Sequence, residues 1–199
     1  MKRFKACALI LLFFVKGFVV NSANMSGNSG DDYYSGRDSV VTASGMTFLI
    51  EERHSLRTGS NDKLVIIKNR DNVLLNDYQI DTGTGEYYTL YKGGFPMAEL
   101  KPDVLRSIVD SVFSQAEQSY YSSGPRSNRI RLLMAVDPVN RSIVEVKFTI
   151  VCHHDDFRLL CVLPDKLALL ENQIKQADIV SEMTTWGQPN YVQAYYSLF

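Results

Sequence analysis

The chain is short of the residues that announce chemistry. It holds three histidines, three cysteines and one tryptophan in 199 residues, and its formal net charge is −1. No Gly-x-Ser-x-Gly elbow and no His-Glu-x-x-His pattern occurs, so neither a hydrolase nucleophile turn nor a zincin helix is written into it. A Ser-His-Asp arrangement would have to draw on His54 or on the adjacent His153 and His154, with members distant in sequence. The near-neutral charge argues against nucleic acid or an anionic membrane surface as the main partner, because both need a basic footprint. There is no internal repeat.

What is present begins with an address. Lys2, Arg3 and Lys5 precede an apolar run over residues 6–15, and after Lys16 and a second apolar patch the chain turns small and polar at Asn21-Ser22-Ala23. That order is the pattern of a secretory signal peptide over residues 1–23. A membrane anchor needs about 20 apolar residues, and Lys16 interrupts the run, so the expectation is export to the periplasm or beyond with no retained membrane span. A lipid anchor fits poorly, since Cys7 stands at the start of the apolar run. Cys7 leaves with the signal and Cys152 and Cys161 remain. An even number in an exported chain raises the prospect of one disulfide, while separate buried thiols are the alternative.

Beyond the signal, residues 24–45 are rich in Ser, Gly, Asn and Asp and read as a flexible arm that buries too little to offset its ordering entropy. Residues 46–199 then read as one domain. Eleven tyrosines and ten phenylalanines favour strands over a helical bundle. Short β-branched and aromatic runs at 47–51, 63–68, 73–75 and 87–91, bounded by Gly, Asn and Asp, are strand signals, and Gly93-Gly94-Phe95-Pro96 ends them. The period then changes. Val104, Leu105, Ile108, Val109, Val112 and Phe113 share one helical face, with Pro102 and Asp103 suited to the first turn and a stop at Ser122-Ser123-Gly124-Pro125. Residues 129–150 form the best strand pair, in which Val144, Val146, Phe148 and Ile150 alternate with Glu145, Lys147 and Thr149, one face buried and the other wet. A second helix over 163–177 and an aromatic closing strand over 191–199 complete the order. A helix within the chain excludes reading that last strand as part of an outer-membrane barrel. The pattern predicts an α+β two-layer sandwich, a mostly antiparallel sheet with two amphipathic helices on one face. Residues 46–92 are too few for a core of their own and are expected to join the sheet of residues 93–199.

The order of a helix, a hairpin carrying Ile143-Val144-Glu145-Val146-Lys147-Phe148, and a helix at Leu167-Ala168-Leu169-Leu170-Glu171 resembles the periplasmic C-terminal domain of TonB-type energy transducers. It also resembles uncharacterised secreted bacterial proteins with that arrangement. The likeness covers residues 100–199. It implies an exported α+β domain that engages partners by strand addition. The Pro-rich linker and membrane helix of such transducers have no counterpart in this sequence, and no functional residue carries over.

Cys152-His153-His154-Asp155-Asp156 is the densest polar cluster, and His153, His154 and Asp155 are its candidate metal ligands. In an extended segment the two imidazoles point to opposite faces and cannot share an ion, so a turn is the simpler reading. A hairpin centred near residues 156 and 157 would set Cys152 opposite Cys161, close enough for a bridge. Asp81-Thr82-Gly83 matches half of an aspartic protease site, but no second copy exists, and Gly83-Thr84-Gly85 reads as a turn. No catalytic residue, cofactor site or cofactor is assigned. The reading is an exported, non-enzymatic binding or protein-interaction module, pairing through a sheet edge with a protein partner or cell-envelope component. A periplasmic hydrolase or metal-dependent enzyme using residues 152–156 is the alternative.

Overall fold

Eight strands join in one sheet, ordered β1-β2-β3-β6-β5-β8-β4-β7. The computed structural model describes residues 39–54, 63–89, 94–125, 129–153 and 158–199, with the backbone alone at 39–41, 54, 158 and 161. The strands are β1 (Ser39–Ala43), β2 (Met46–His54), β3 (Lys63–Asn69), β4 (Met97–Leu100), β5 (Arg129–Val136), β6 (Ile143–Cys152), β7 (Val180–Thr184) and β8 (Val192–Leu198). All neighbours are antiparallel except β4 and β8, which meet in parallel at Met97 and Gln193. β3 pairs with β6, so the strands before residue 90 and those after residue 94 share one sheet.

Three helices accompany the sheet: α1 (Pro102–Val112), α2 (Gln115–Ser122) and α3 (Pro164–Gln176). The fold is α+β. Pro102 and Pro164 each sit in the first turn of their helix, where a missing N–H is no loss, and Asp103 and Asp165 complement the positive end there. Leu105, Ile108, Val109 and Val112 of α1 and Leu167, Ala168, Leu170 and Ile174 of α3 form apolar stripes buried against one sheet face. Phe48, Val65, Ile67, Leu132, Met134, Val146, Phe148 and Ala194 supply that face, alternating along their strands as the pleat requires. Phe48 and Phe148 are fully buried, each contributing roughly 2–3 kcal/mol by area. Beneath α3, the fully buried Glu171 accepts from Lys175 Nζ at 2.6 Å and Asn69 Nδ2 at 3.4 Å, tying helix to sheet.

The structure departs from the sequence expectations at definite points. Residues 39–45, expected in the flexible arm, form β1 and a turn into β2, with Ser44 at φ 48° and Gly45 at φ 81°. The rest of the arm and the signal lie outside the described residues. The first expected helix is two helices. The chain extends at Phe113, and Ser114 opens α2 with a capping box: its hydroxyl accepts from Glu117 N, and the Glu117 carboxylate accepts from Ser114 N. Residues 74–76 form a 3-10 turn instead of a strand, and Tyr87 makes a single bridge with Ile80. β4 and β7 were not anticipated. They are four and five residues long and pair with each other across most of the second half of the chain. The hairpin expected about residues 156 and 157 does not form as drawn. β6 ends at Cys152, whose register partner is Lys63 of β3, and Cys161 lies in a 3-10 turn (Arg158–Cys161).

Candidate functional site

Strand alternation puts the helices on one face and leaves the other to different chemistry. Along one row of that second face the register partners run Leu49, Lys68, Lys147, Leu133 and Tyr195, on β2, β3, β6, β5 and β8. The next row runs Glu51, Ile66, Thr149, Arg131 and Ser197. Neighbouring strands stand about 4.8 Å apart, so each row is a line of side chains across five strands. Aliphatic and cationic residues interleave on it.

One end of this face is roofed by the 3-10 turn Leu74–Asn76, and Glu145 is what fixes the roof. Its carboxylate accepts from Val73 N at 2.7 Å, Leu74 N at 2.9 Å and Leu75 N at 2.9 Å, and it is only 8% exposed. Alternation had placed Glu145 on a wet face. The turn buries it, and three backbone donors that would otherwise lack partners are satisfied. Asn72 Nδ2 donates to Val146 O at 2.8 Å, and Leu75 packs with Ala135 and Tyr191 in a small second core. Lys147 donates to Leu75 O at 3.0 Å, and Lys68 donates to Asn76 Oδ1 at 2.9 Å. Burial lowers the pKa of Lys147 from its ordinary 10.5, and the positive charges of Lys68 and Arg53 lower it further.

A tyrosine track leads away from the roof along β8. Tyr195 OH donates to Gln193 Oε1 at 2.7 Å, Gln193 Nε2 donates to Tyr191 OH at 3.5 Å, and Tyr191 OH donates to Asp77 O at 3.1 Å. Burial raises the pKa of both Tyr191 and Tyr195, so both rings stay protonated at neutral pH. Tyr195 is nonetheless 54% exposed, and Tyr78 and Tyr87, 78% and 60% exposed, stack edge to face at 5.6 Å between centroids.

The residues singled out by sequence fall elsewhere. Asp81 is used by its own turn: Oδ1 accepts from Gly83 N at 2.8 Å and Thr84 N at 3.3 Å, and Gly85 N donates to Asp81 O at 2.6 Å. Tyr88 OH donates to Trp186 O at 2.6 Å and stands 3.4 Å from Asp81 Oδ2, which fastens this turn to the segment before β8. Burial first, and the Asp81 carboxylate second, raise the Tyr88 pKa. Glu51 pairs with Arg53 of the same strand at 2.5 Å. His153 is half-buried at the end of β6; His154 and Asp155 lie outside the described residues, as does the side chain of Cys161. Cys152 is buried. No group of three His, Cys, Asp or Glu positioned for a metal is found among the described residues. Lys68, Lys147, Arg131 and Tyr195 were not anticipated as neighbours, because only the β3–β6–β5–β8 register brings them together.

The class of protein defined so far is an α+β domain with an eight-stranded, mostly antiparallel sheet, helices on one face and a mixed cationic and aliphatic opposite face. No described helix is long and apolar enough to cross a membrane. The sequence matches no family model and no curated protein. Among solved structures it is similar to a DUF5043 family protein from Bacteroides uniformis ATCC 8492. That likeness has a TM-score of 0.58 at 16% identity and covers 85% of this chain and 91% of that one. At this identity the likeness is one of fold alone.

Proposed function

We propose that this chain is an exported, non-enzymatic binding module that recognises a partner through the helix-free face of its sheet. The observation that carries the reading is the row Lys68, Lys147, Leu133 and Tyr195, where charged, aliphatic and aromatic side chains cross four adjacent strands with no α-helix above them and the 3-10 turn Leu74–Asn76 at one end. An exposed face that mixes apolar and charged side chains on a rigid scaffold has the make-up of an interaction surface. The basic, apolar and then polar order of residues 1–23 supports export.

Site-specific photo-crosslinking in intact producing cells tests this. A photoreactive residue in place of Tyr195 is expected to give a discrete adduct, and one in place of Arg106, exposed on α1, is expected to give none. The absence of any adduct at position 195 overturns the reading. Strand addition at a sheet edge is the second way such a module binds. β1 favours it, because its outer side has no strand partner among the described residues. An adduct confined to positions on β1 identifies that mode instead.

A further inference from the structure

We infer that the ligand of the helix-free face is an acidic segment of a partner protein, with apolar side chains spaced between its carboxylates. The inference rests on the binding-face reading and names the chemistry of the occupant.

The charge balance of the face comes first. Lys68 and Lys147 are register partners on adjacent strands, and Arg131 lies on the next strand in the neighbouring row. One row further, Arg129 is the register partner of Val151, and its Nε is buried without a hydrogen-bond partner among the described residues. Of the acids this face carries on β2, β3, β6, β5 and β8, Glu145 is engaged by three backbone N–H groups and Glu51 by Arg53, while the exposed carboxylates of Glu99 and Glu182 lie on the same face farther along the sheet, on β4 and β7. The chain as a whole carries −1, so the positive charge here is segregated and not a reflection of a basic protein. Crowded cations of this kind attract an anionic partner and steer its approach. Burial first, then Lys68 and Arg53, lower the Lys147 pKa, and Glu51 and Glu145 offset them only in part.

The aliphatic residues decide among anionic partners. Leu49, Leu133 and Ile66 are half-buried and occupy positions between or beside the cations in the same two rows. A sulfated or carboxylated polysaccharide offers them only the C–H faces of its rings, less apolar area than leucine-sized side chains supply. A protein segment alternating carboxylates with apolar side chains supplies that area, and an extended one presents them at the spacing of the pleat.

The test uses the mature chain and three probes: a short peptide alternating glutamate and leucine, an all-glutamate peptide, and heparin. Fluorescence anisotropy is expected to show the alternating peptide binding more tightly than either of the others. Its affinity is expected to fall with added salt. Arg131→Glu, at an exposed position, is expected to weaken it by about tenfold, as loss and reversal of one charge contact implies. Lys68→Glu serves as a second variant, and unfolding curves verify that both remain folded. No binding of the alternating peptide up to about 1 mM, the weak end of specific association, overturns the inference. So does equal or tighter binding of heparin or the all-glutamate peptide, or an affinity unchanged in both variants. An adduct at position 195 in cells combined with any of these results leaves the binding face standing and removes only its acidic ligand.

Discussion

Lys68 and Lys147 face each other across β3 and β6, and both are held by oxygens of the same 3-10 turn, Asn76 Oδ1 and Leu75 O. Two like charges are thus fastened side by side under one short segment. The arrangement costs stability while both are protonated, and the cost has a pH signature.

The Lys147 ammonium has its pKa lowered in the folded state by burial, then by Lys68 and Arg53. Between that lowered value and 10.5 the unfolded chain binds more protons at this group than the folded one, so its contribution to stability rises with pH. Below the lowered value the penalty is fully present. Lys147→Met removes the titration. The difference in unfolding free energy, wild type minus variant, is expected to increase as pH climbs toward 10.5 in denaturant titrations. A flat difference contradicts the placement of Lys147.

Glu145 gives the second prediction. Glu145→Ala leaves the amides of residues 73–75 without their acceptor beneath a buried turn, and a loss of about 3 kcal/mol is expected. Glu145→Gln keeps an acceptor oxygen and is expected to cost less. Hydrogen exchange localises the effect: the three amides lose protection in the alanine variant while those of β5 and β6 retain theirs.

Much of the architecture could be read from residue order because it is local. Val146, Phe148 and Ile150 alternate into the core, and Leu105, Ile108, Val109 and Val112 keep helical spacing, whatever lies elsewhere in the chain. Val144, expected buried with the first three, is 36% exposed where the β5–β6 register shifts. The division between α1 and α2 also had a local signal, Ser114 followed three residues later by Glu117, the pattern of a capping box. β4 and β7 had none. Four or five residues give too short a run for periodicity, and each is held by strands distant in sequence, β4 by β7 and β8 and β7 by β4. The candidate face is non-local in the same way. Alternation marks Lys68 and Lys147 as lying on one side of their own strands, but only strand order makes them neighbours. Glu145 looked like an ordinary wet-face residue because its roof comes from a distant turn.

Gly187 gives the third prediction. It has φ 69°, and a Cβ there would overlap Asp81 Oδ2 and come within 2.8 Å of Tyr88 OH. Gly187→Ala therefore adds left-handed backbone strain to a steric clash, and a loss of about 2–3 kcal/mol is expected. Trp186 is the single tryptophan and stacks edge to face on Tyr88 at 6.0 Å. Its fluorescence is expected to shift in the variant even in the folded state. An unchanged spectrum and unchanged stability contradict the close approach.

Arg141, at φ 56° in the loop between β5 and β6, donates from Nη2 to Ser181 O at 2.6 Å. A hairpin loop thereby occupies an acceptor on β7, the strand at one end of the sheet, while β1 at the other end has no strand outside it among the described residues. The two ends are not equivalent. An approaching strand therefore meets two different edges, β7 with one carbonyl already taken by an arginine and β1 with no strand outside it among the described residues.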